Sequence, residues 1–203
     1  NDGVGLVTHT NSIGFDIQNS DVVLTSCASF RNRDTGFKIT NSNILIEGGI
    51  TGYRNYALEA SGRVISPQES DDLWDLDING NGFEASRSTI RFDETLSYAN
   101  ASATSNLGKH GYTMMSNGGN GWLFDKCKVI GGVGGHRSSS EQGAGENDYQ
   151  TTQLIGAFNK LNGFQIDDSQ VKYQGIIRGH ANGIDGISAV GSRVGVMGAF
   201  GEY

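Results

Sequence analysis

Proline and cysteine are nearly absent from this chain, and each absence excludes a class of protein. A single proline among 203 residues argues against flexible proline-rich linkers. Cys27 and Cys127 are the only two cysteines and are 100 residues apart, so they form neither a disulfide framework nor a metal-binding spacing. No apolar run approaches membrane-spanning length, and no charged-then-apolar signal segment opens the sequence. We therefore expect no disulfide scaffold and no membrane insertion.

Positive charge is also scarce. The chain has 15 Lys and Arg residues against 22 Asp and Glu residues, a formal net charge of -7. Nucleic acids and anionic membranes are bound through concentrated basic patches, so the balance predicts neither partner. Charged residues make up 18% and hydrophobic residues 36% of the chain, which is too apolar for disorder.

Glycine is abundant, at 31 of 203 residues, and six glycines begin copies of one internal repeat. In every copy an apolar residue, here called position zero, follows the glycine. An apolar or small residue stands at +2, Ser or Cys at +5, and mostly apolar residues at +7 and +9. The six copies are GFDIQNSDVVL from Gly14, GFKITNSNILI from Gly36, GFEASRSTIRF from Gly82, GWLFDKCKVIG from Gly121, GFQIDDSQVKY from Gly163 and GISAVGSRVGV from Gly186.

The spacing of the copies predicts how many repeats the chain contains. Successive glycines are 22, 46, 39, 42 and 23 residues apart. We interpret these intervals as one, two, two, two and one periods of about 21.5 residues, with degenerate copies such as LEASGRVIS (Leu58 to Ser66) filling the longer ones. The chain is then expected to hold about nine coils of roughly 20–23 residues.

The positions within a repeat predict short strands around a corner. Positions zero and +2 share one face of a strand, while +5, +7 and +9 share a face of the next, so the odd step marks a bend. The dozen residues that follow can supply a third strand. Three strands per period and no helical apolar periodicity predict an all-β fold, a parallel β-helix with one packed interior.

The aligned repeat also predicts which side chains stack. We expect an interior stack at position zero, a second stack at +2, and a ladder of small residues inside the corner at +5, where hydroxyls can bond turn amides. Cys127 takes a serine's place in that ladder, Trp122 lies in the core rather than on a sugar-binding surface, and one of Met114 and Met115 is core. Asp167 and Asp168, an adjacent acid pair, occupy +3 and +4 and are expected to form the corner rather than a catalytic pair.

Two stretches leave the repeat and carry the candidate chemistry. Residues 66–81 hold an acidic cluster around Trp74, in which Asp72 and Asp75 could act as acid and base beside an aromatic sugar platform. Residues 134–150 form a polar, glycine-rich loop in which Glu141 and Glu146 could act as acid or base. Its His136, Arg137 and Tyr149 are candidates for binding an anionic sugar.

Both stretches also have plainer interpretations as a solvated acidic turn and a surface loop. Carboxylates suit Ca²⁺, but no motif supports a calcium site, so we predict no metal and no cofactor. Arg178 with His180, and Lys109 with His110, are weaker candidates near turns.

Chains with such repeats resemble the right-handed, single-stranded parallel β-helices of the pectate-lyase-like superfamily, which includes polysaccharide lyases, polygalacturonase-like hydrolases, alginate epimerases and phage tailspikes. The resemblance covers nearly the whole chain, residues 1–203, as a single domain of a longer protein. The enzyme motifs of the family are missing. Of the polygalacturonase-like set only the Asp-Asp pair is present, the Trp-x-Asp-His element of pectate lyases is absent, and Pro67 is followed by Gln68 rather than by the His of an epimerase Asp-Pro-His.

The absent motifs favour the tailspike branch, which shares no common motif. The resemblance then implies a phage tailspike or tail-fibre segment, homotrimeric, located in a virion or extracellularly, and attached to other tail proteins. It would bind bacterial surface polysaccharide, and the residues leave open whether it also cleaves it as a hydrolase or lyase. The alternatives are a non-catalytic structural or adhesive β-helix, and a secreted polysaccharide lyase or epimerase.

Overall fold

The computed structural model describes residues 7–9, 13–30, 32, 34–53, 80–92, 111–115, 117–132 and 153–202. These residues form parallel strands in two curled sheets and contain no helix, as the sequence predicts. The strands are β1 (Val7–His9), β2 (Phe15–Gln18), β3 (Asp21–Phe30), β4 (Phe37–Thr40), β5 (Asn43–Tyr53), β6 (Phe83–Ser86), β7 (Thr89–Phe92), β8 (Gly111–Met115), β9 (Trp122–Asp125), β10 (Lys128–Gly131), β11 (Gln153–Ala157), β12 (Phe164–Asp167), β13 (Gln170–His180), β14 (Ile187–Val190) and β15 (Arg193–Glu202).

The six-stranded sheet confirms the alignment of the repeat copies. Its strand order is β14-β12-β9-β6-β4-β2, and every neighbouring pair is parallel. The register joins position zero of each copy to position zero of the next, and +2 to +2. The predicted stacks are Phe15, Phe37, Phe83, Trp122, Phe164 and Ile187 at zero, and Ile17, Ile39, Ala85, Phe124, Ile166 and Ala189 at +2.

Aromatic rings dominate the interior. Trp122 is fully buried between Phe83 and Phe164, at ring-centroid distances of 5.2 and 6.2 Å. Its indole N–H donates to the Ile155 carbonyl at 2.9 Å, which satisfies the only polar atom of the ring. Met114 is also fully buried. The core assignments of Trp122 and of one methionine are therefore confirmed.

The predicted corner follows each strand of the six-stranded sheet. All six residues at +4 have positive φ, from 46° at Asp168 to 62° at Gly191. The serine at +5 donates to the carbonyl two residues earlier, at 2.7 to 3.0 Å. Its oxygen also accepts an amide N–H from the preceding copy, for example Ser42 N–H to Ser88 Oγ at 3.0 Å. The hydroxyl ladder thus supplies an acceptor to the backbone N–H at +5, while the carbonyls to which the hydroxyls donate also accept a backbone N–H from the preceding copy.

The nine-stranded sheet contains two parallel arrays. The first is formed by β7, β10 and the beginnings of β3, β5, β13 and β15. The second is formed by β1, β8, β11 and the ends of those long strands. Register shifts between Thr25 and Cys27, and between Tyr173 and Ile176, separate the two arrays. Together with the six-stranded sheet they supply the three strands per repeat that the sequence predicts.

A turn of shared sequence returns the chain from the second array to the six-stranded sheet. It reads RNRDTG before Phe37, SNGGNG before Trp122, FNKLNG before Phe164 and ANGIDG before Ile187. Asn159 Oδ1 accepts the backbone N–H and a side-chain N–H of Asn117, at 3.1 and 2.9 Å. Asn182 Oδ1 accepts the same two groups of Asn159, both at 3.0 Å. A second ladder runs through Asn81, Asn120 and Asn162. These asparagine ladders were not predicted.

The predicted number of coils is wrong. Strands β4 and β6 are hydrogen-bonded neighbours, as are β6 and β9, and β9 and β12, although each pair comes from copies separated by one of the three long intervals. An intervening coil would hold such strands two spacings apart, about 10 Å, and would prevent these bonds. Along the six-stranded sheet the described chain therefore makes six passes, beginning at Phe15, Phe37, Phe83, Trp122, Phe164 and Ile187. The proposed extra copy at Leu58 to Ser66 lies outside the described residues.

Both cysteines are buried thiols and no disulfide joins them. Cys127 Sγ donates to the Asp125 carbonyl at 3.2 Å, and its N–H donates to Ser169 Oγ at 2.9 Å, which are the bonds a ladder serine makes. Burial raises the pKa of the Cys127 thiol to about 11 from an ordinary 9.0, more than nearby backbone N–H groups lower it. The structural interpretation of Cys127 is confirmed by this placement.

Wild-type protein is expected to lose folding stability as the pH rises above 9, and Cys127→Ser is expected to remove this part of the loss. With a folded pKa near 11 and an unfolded pKa near 9.0, the native thiol keeps its proton over that interval while the unfolded thiol loses it. Stability is therefore complete below pH 9 and falls as pH rises to 11, by about 2–3 kcal/mol. Urea denaturation from pH 8 to 10.5 should show a steeper decline for wild type than for Cys127→Ser. Parallel curves would contradict a buried, protonated thiol.

Candidate functional site

The predicted site residues all lie outside the described residues, so their geometry stays a prediction. They are Asp72, Asp75, Glu141 and Glu146 as candidate acids and bases, and Trp74, His136, Arg137 and Tyr149 as candidate sugar contacts. The strands that flank them define where each stretch joins the sheets. Gly80 and Asn81, at the end of the first stretch, are described and are buried in a return turn rather than in an excursion.

Two long segments join the nine-stranded sheet side by side. Residues 93–110 connect β7 to β8, and residues 133–152 connect β10 to β11. Because β7 pairs with β10 and β8 with β11, both ends of one segment are adjacent to the ends of the other. Residues 54–79 instead connect the second array, at the end of β5, to the six-stranded sheet. The segment that contains Glu141 and Glu146 therefore joins different strands from the segment that contains Asp72 and Asp75.

Two glycines lead the chain out of β10 into the second of these segments. Gly131 and Gly132 have φ of 117° and 78°, conformations that side chains disfavour. A Cβ on Gly131 would overlap the Phe92 backbone, and one on Gly132 would lie 2.7 Å from the Tyr173 ring. Phe92 and Tyr173, which flank Gly131 in register, meet edge to face at 5.6 Å. Packing therefore fixes Gly131 and Gly132, the two residues that precede this segment.

The acid pair at Asp167 and Asp168 lies at the corner, as the repeat predicts. Asp168 is exposed with φ of 46°, and half-buried Asp167 accepts a hydrogen bond from Gln165 Nε2 at 2.6 Å. Asp125 pairs with Asp167 in register, and Lys126 Nζ lies 3.8 Å from the Asp125 carboxylate. Within the described part of the chain no three His, Cys, Asp or Glu side chains are grouped to hold a metal ion. The turn interpretation of the pair agrees with these contacts.

Positive charge is concentrated on the outer face of the first array from the third pass to the sixth, and at the corner before it in the third and fourth passes only, since the fifth pass has exposed Asp168 at that corner. We define the cationic face by the exposed side chains of Arg87, Arg91, Lys126, Lys128, Lys172 and Arg193. Arg91 immediately precedes the end of β7, and Ile130 on the same row immediately precedes the end of β10. The cationic face therefore borders the points where residues 93–110 and 133–152 leave the sheet. Sequence reasoning missed it, although the charges at +6 and +8 are visible in the aligned copies.

The remaining histidine and arginine candidates do not form a group with the cationic face. Arg178 lies on the second array and is exposed, and His180, two residues on, is half-buried with its ring 5.4 Å from that of Phe158. The two rings meet edge to face. Lys109 and His110 lie outside the described residues.

Comparison with known proteins gives no relative from which a residue could be transferred. A scan against protein-family models, a search of curated proteins and a search of solved structures found no match. Among the described residues, no helix has the length and apolar character needed to cross a membrane.

Proposed function

We propose that the chain is a right-handed, single-stranded parallel β-helix of the pectate-lyase-like kind, most like a phage tailspike or tail-fibre segment, and that it binds bacterial surface polysaccharide. Each pass leaves a strand of the six-stranded sheet, crosses the other sheet and returns to a parallel neighbour. Crossovers between parallel strands of one sheet are right-handed in about 98% of cases, which supports the handedness. Six stacked passes, rather than nine, are consistent with the described pairings.

The observation that carries the proposal is the outward placement of everything that could contact a ligand. The interior is filled by stacked aromatic and aliphatic side chains, so it leaves no room for a sugar. Two long polar segments leave neighbouring strands at one corner, beside an exposed charged face. An outer sheet surface built from stacked passes is suited to an extended polymer, whose repeated units can contact successive passes.

We further propose that the chain cleaves the polysaccharide, with acids and bases from residues 66–81 and 134–150. Hydrolysis needs two carboxylates about 5 to 9 Å apart. Glu141 and Glu146 share one excursion, and Asp72 and Asp75 share another, so each pair can supply an acid and a base by itself. Trp74, His136, Arg137 and Tyr149 are the proposed sugar contacts.

We place the protein in a phage tail as a homotrimer attached to other virion proteins. Among the described strands, β14 ends the six-stranded sheet with one unpaired edge, which faces along the stack and can pair with a neighbouring segment or virion protein. Light scattering after size-exclusion chromatography tests the trimer directly, because a monomeric mass would remove that part of the proposal.

Binding and cleavage can be tested together on an array of purified capsular polysaccharides, both neutral and hexuronate-bearing. We expect the 203-residue chain to bind at least one polysaccharide of the array. If it cleaves, new reducing ends indicate hydrolysis and unsaturated uronates indicate a lyase. The absence of binding across the array would favour the purely structural alternative.

We expect a fourfold variant to lose at least a hundredfold of any cleavage rate while it still binds the polysaccharide. The variant replaces each aspartate by Asn and each glutamate by Gln, at Asp72, Asp75, Glu141 and Glu146. The two pairwise variants, Asp72→Asn with Asp75→Asn and Glu141→Gln with Glu146→Gln, then show which excursion is responsible. Undiminished cleavage by the fourfold variant would exclude all four residues as catalysts. Asp167→Asn with Asp168→Asn, at the corner, is the matched control and should cleave normally.

A further inference from the structure

The cationic face stands out because the protein as a whole is acidic. Six of the 15 Lys and Arg residues lie on this one surface, while the net charge is -7. In the first pass the equivalent +6 position is Asp21, and in the second it is Asn43. The positive charge is therefore confined to the last four passes, next to the segments rooted at β7, β8, β10 and β11.

Four of the cations form a regular zigzag along the stack of strands. Arg91 is at +8 in the third pass, Lys128 at +6 in the fourth, Lys172 at +8 in the fifth and Arg193 at +6 in the sixth. Neighbouring strands are about 4.8 Å apart and alternate residues of a strand about 6.6 Å apart. Successive cations are thus about 8 Å apart at their backbones, with one cation in each pass.

These cations have no structural task in the described part of the chain. All four side chains are exposed, and none of them has an ion pair with a described carboxylate. In the two passes whose cation is at +8, position +6 holds Thr89 and Gln170, whose side chains can hydrogen-bond to sugar hydroxyls. The strands fix the spacing of these charges before a ligand binds, so only the side chains have to be ordered on binding.

We infer that the cationic face binds an anionic, carboxylate-bearing polysaccharide that runs across the strands, with one acidic group for each one or two passes. This inference rests on the proposed function and names its ligand class. Nucleic acid fits the face less well, because single strands are held by stacking on aromatic side chains. No aromatic side chain is exposed on the described residues of this face.

The test compares a polyuronate with its own neutral form. Polygalacturonate, the same polymer after reduction of its carboxylates to alcohols, and a single-stranded DNA 20-mer are titrated against the 203-residue chain at 50 and 200 mM salt. We expect polygalacturonate to bind, the reduced polymer to bind at least tenfold more weakly, and the affinity to fall at the higher salt concentration.

A double variant and a charge-matched control locate the binding. Lys128→Gln with Lys172→Gln should weaken polygalacturonate binding by about tenfold, since each exposed ion pair contributes a factor of about two to five. Lys38→Gln with Lys160→Gln removes the same charge from other surfaces and should have little effect. Lys128 and Lys172 are exposed and Lys38 and Lys160 are half-buried, so circular dichroism and urea denaturation verify that each variant folds with unchanged stability.

The failures of the two proposals are distinguishable. If the chain binds neutral array polysaccharides and the Lys128 and Lys172 double variant binds them normally, while polygalacturonate is not bound, the inference is overturned and the proposed function stands. If no polysaccharide is bound at all, both are overturned. Equal losses in the two double variants, or tighter binding of the DNA than of polygalacturonate, would also overturn the assignment of this face to an anionic polysaccharide.

Discussion

Trp122→Ala is expected to lower the free energy of unfolding by about 3–5 kcal/mol, among the largest effects of any single substitution in the described core. Trp122 is fully buried and contacts the rings of Phe83, Phe92, Phe124 and Phe164. Its truncation removes contacts with three passes at once and leaves the Ile155 carbonyl without its indole donor. Urea denaturation measures the loss as a lower midpoint.

Leu123→Ala is the control for Trp122→Ala, because Leu123 is the next residue and points to the outer face. It is half-buried and should cost less than about 1 kcal/mol. If Trp122→Ala does not fold, Trp122→Phe keeps a ring in the stack and should still cost about 1–2 kcal/mol. Equal losses at Trp122 and Leu123 would contradict the assignment of interior and exterior faces.

Gly156→Ala is expected to cost about 3 kcal/mol or more, although only one methyl group is added. Gly156 lies on β11 where the second array closely approaches the six-stranded sheet. A Cβ there would overlap the Gly163 carbonyl oxygen and lie 2.7 and 2.8 Å from its carbonyl carbon and Cα. These are backbone atoms of the repeat glycine itself, which hydrogen bonds hold in the six-stranded sheet, so they cannot move aside cheaply.

Gly195→Ala supplies the matched control, because the same methyl group on β15 meets nothing closer than the Val171 carbonyl oxygen at 3.8 Å. Its free energy of unfolding should change by less than about 0.5 kcal/mol. Thermal or urea denaturation of the two variants compares crowding directly, since both replace a strand glycine. A small effect at Gly156 would mean that the arrays are further apart than described.

Repeat glycines are themselves required at Gly82, Gly121 and Gly163, because a Cβ on each would lie 2.6 Å from the amide nitrogen of a ladder asparagine and 2.6 to 2.8 Å from the carbonyl oxygen of the next repeat glycine. Gly52, Gly156 and Gly179 on the second array each face a repeat glycine across a very short gap, Gly82, Gly163 and Gly186 respectively. Side chains at these sites would separate the two walls. The sequence alignment predicts the repeat glycine, but its partner is visible only when the two sheets are placed together.

The number of passes could not be predicted because an interval of two periods between repeat glycines is compatible with two structures. It can form another coil or an excursion from an existing one, and the three long intervals between repeat glycines satisfy both. Strand pairing decides between them, since β4 to β6, β6 to β9 and β9 to β12 are direct neighbours. The same ambiguity conceals the position of the candidate site, because an excursion's location depends on which strands flank it.

The cationic face was missed for a related reason. Lys128, Lys172 and Arg193 belong to three different repeat copies and form no local cluster in the chain. The net charge of -7 predicts no basic surface at all. The pairing of β7, β10, β13 and β15 brings these side chains onto one face, on the two adjacent rows at +6 and +8.

The amino-acid sequence by itself determined the two strands of each repeat copy, the corner between them, and the stacks at positions zero, +2 and +5. These features repeat with a fixed local spacing, and the two-residue periodicity of a strand converts that spacing into faces. The tertiary structure alone decided how many passes there are, which excursions share a corner and which charges share a face. Those properties depend on hydrogen-bonded pairing between strands of different repeat copies, which lie far apart in the chain, and no local pattern specifies such pairing.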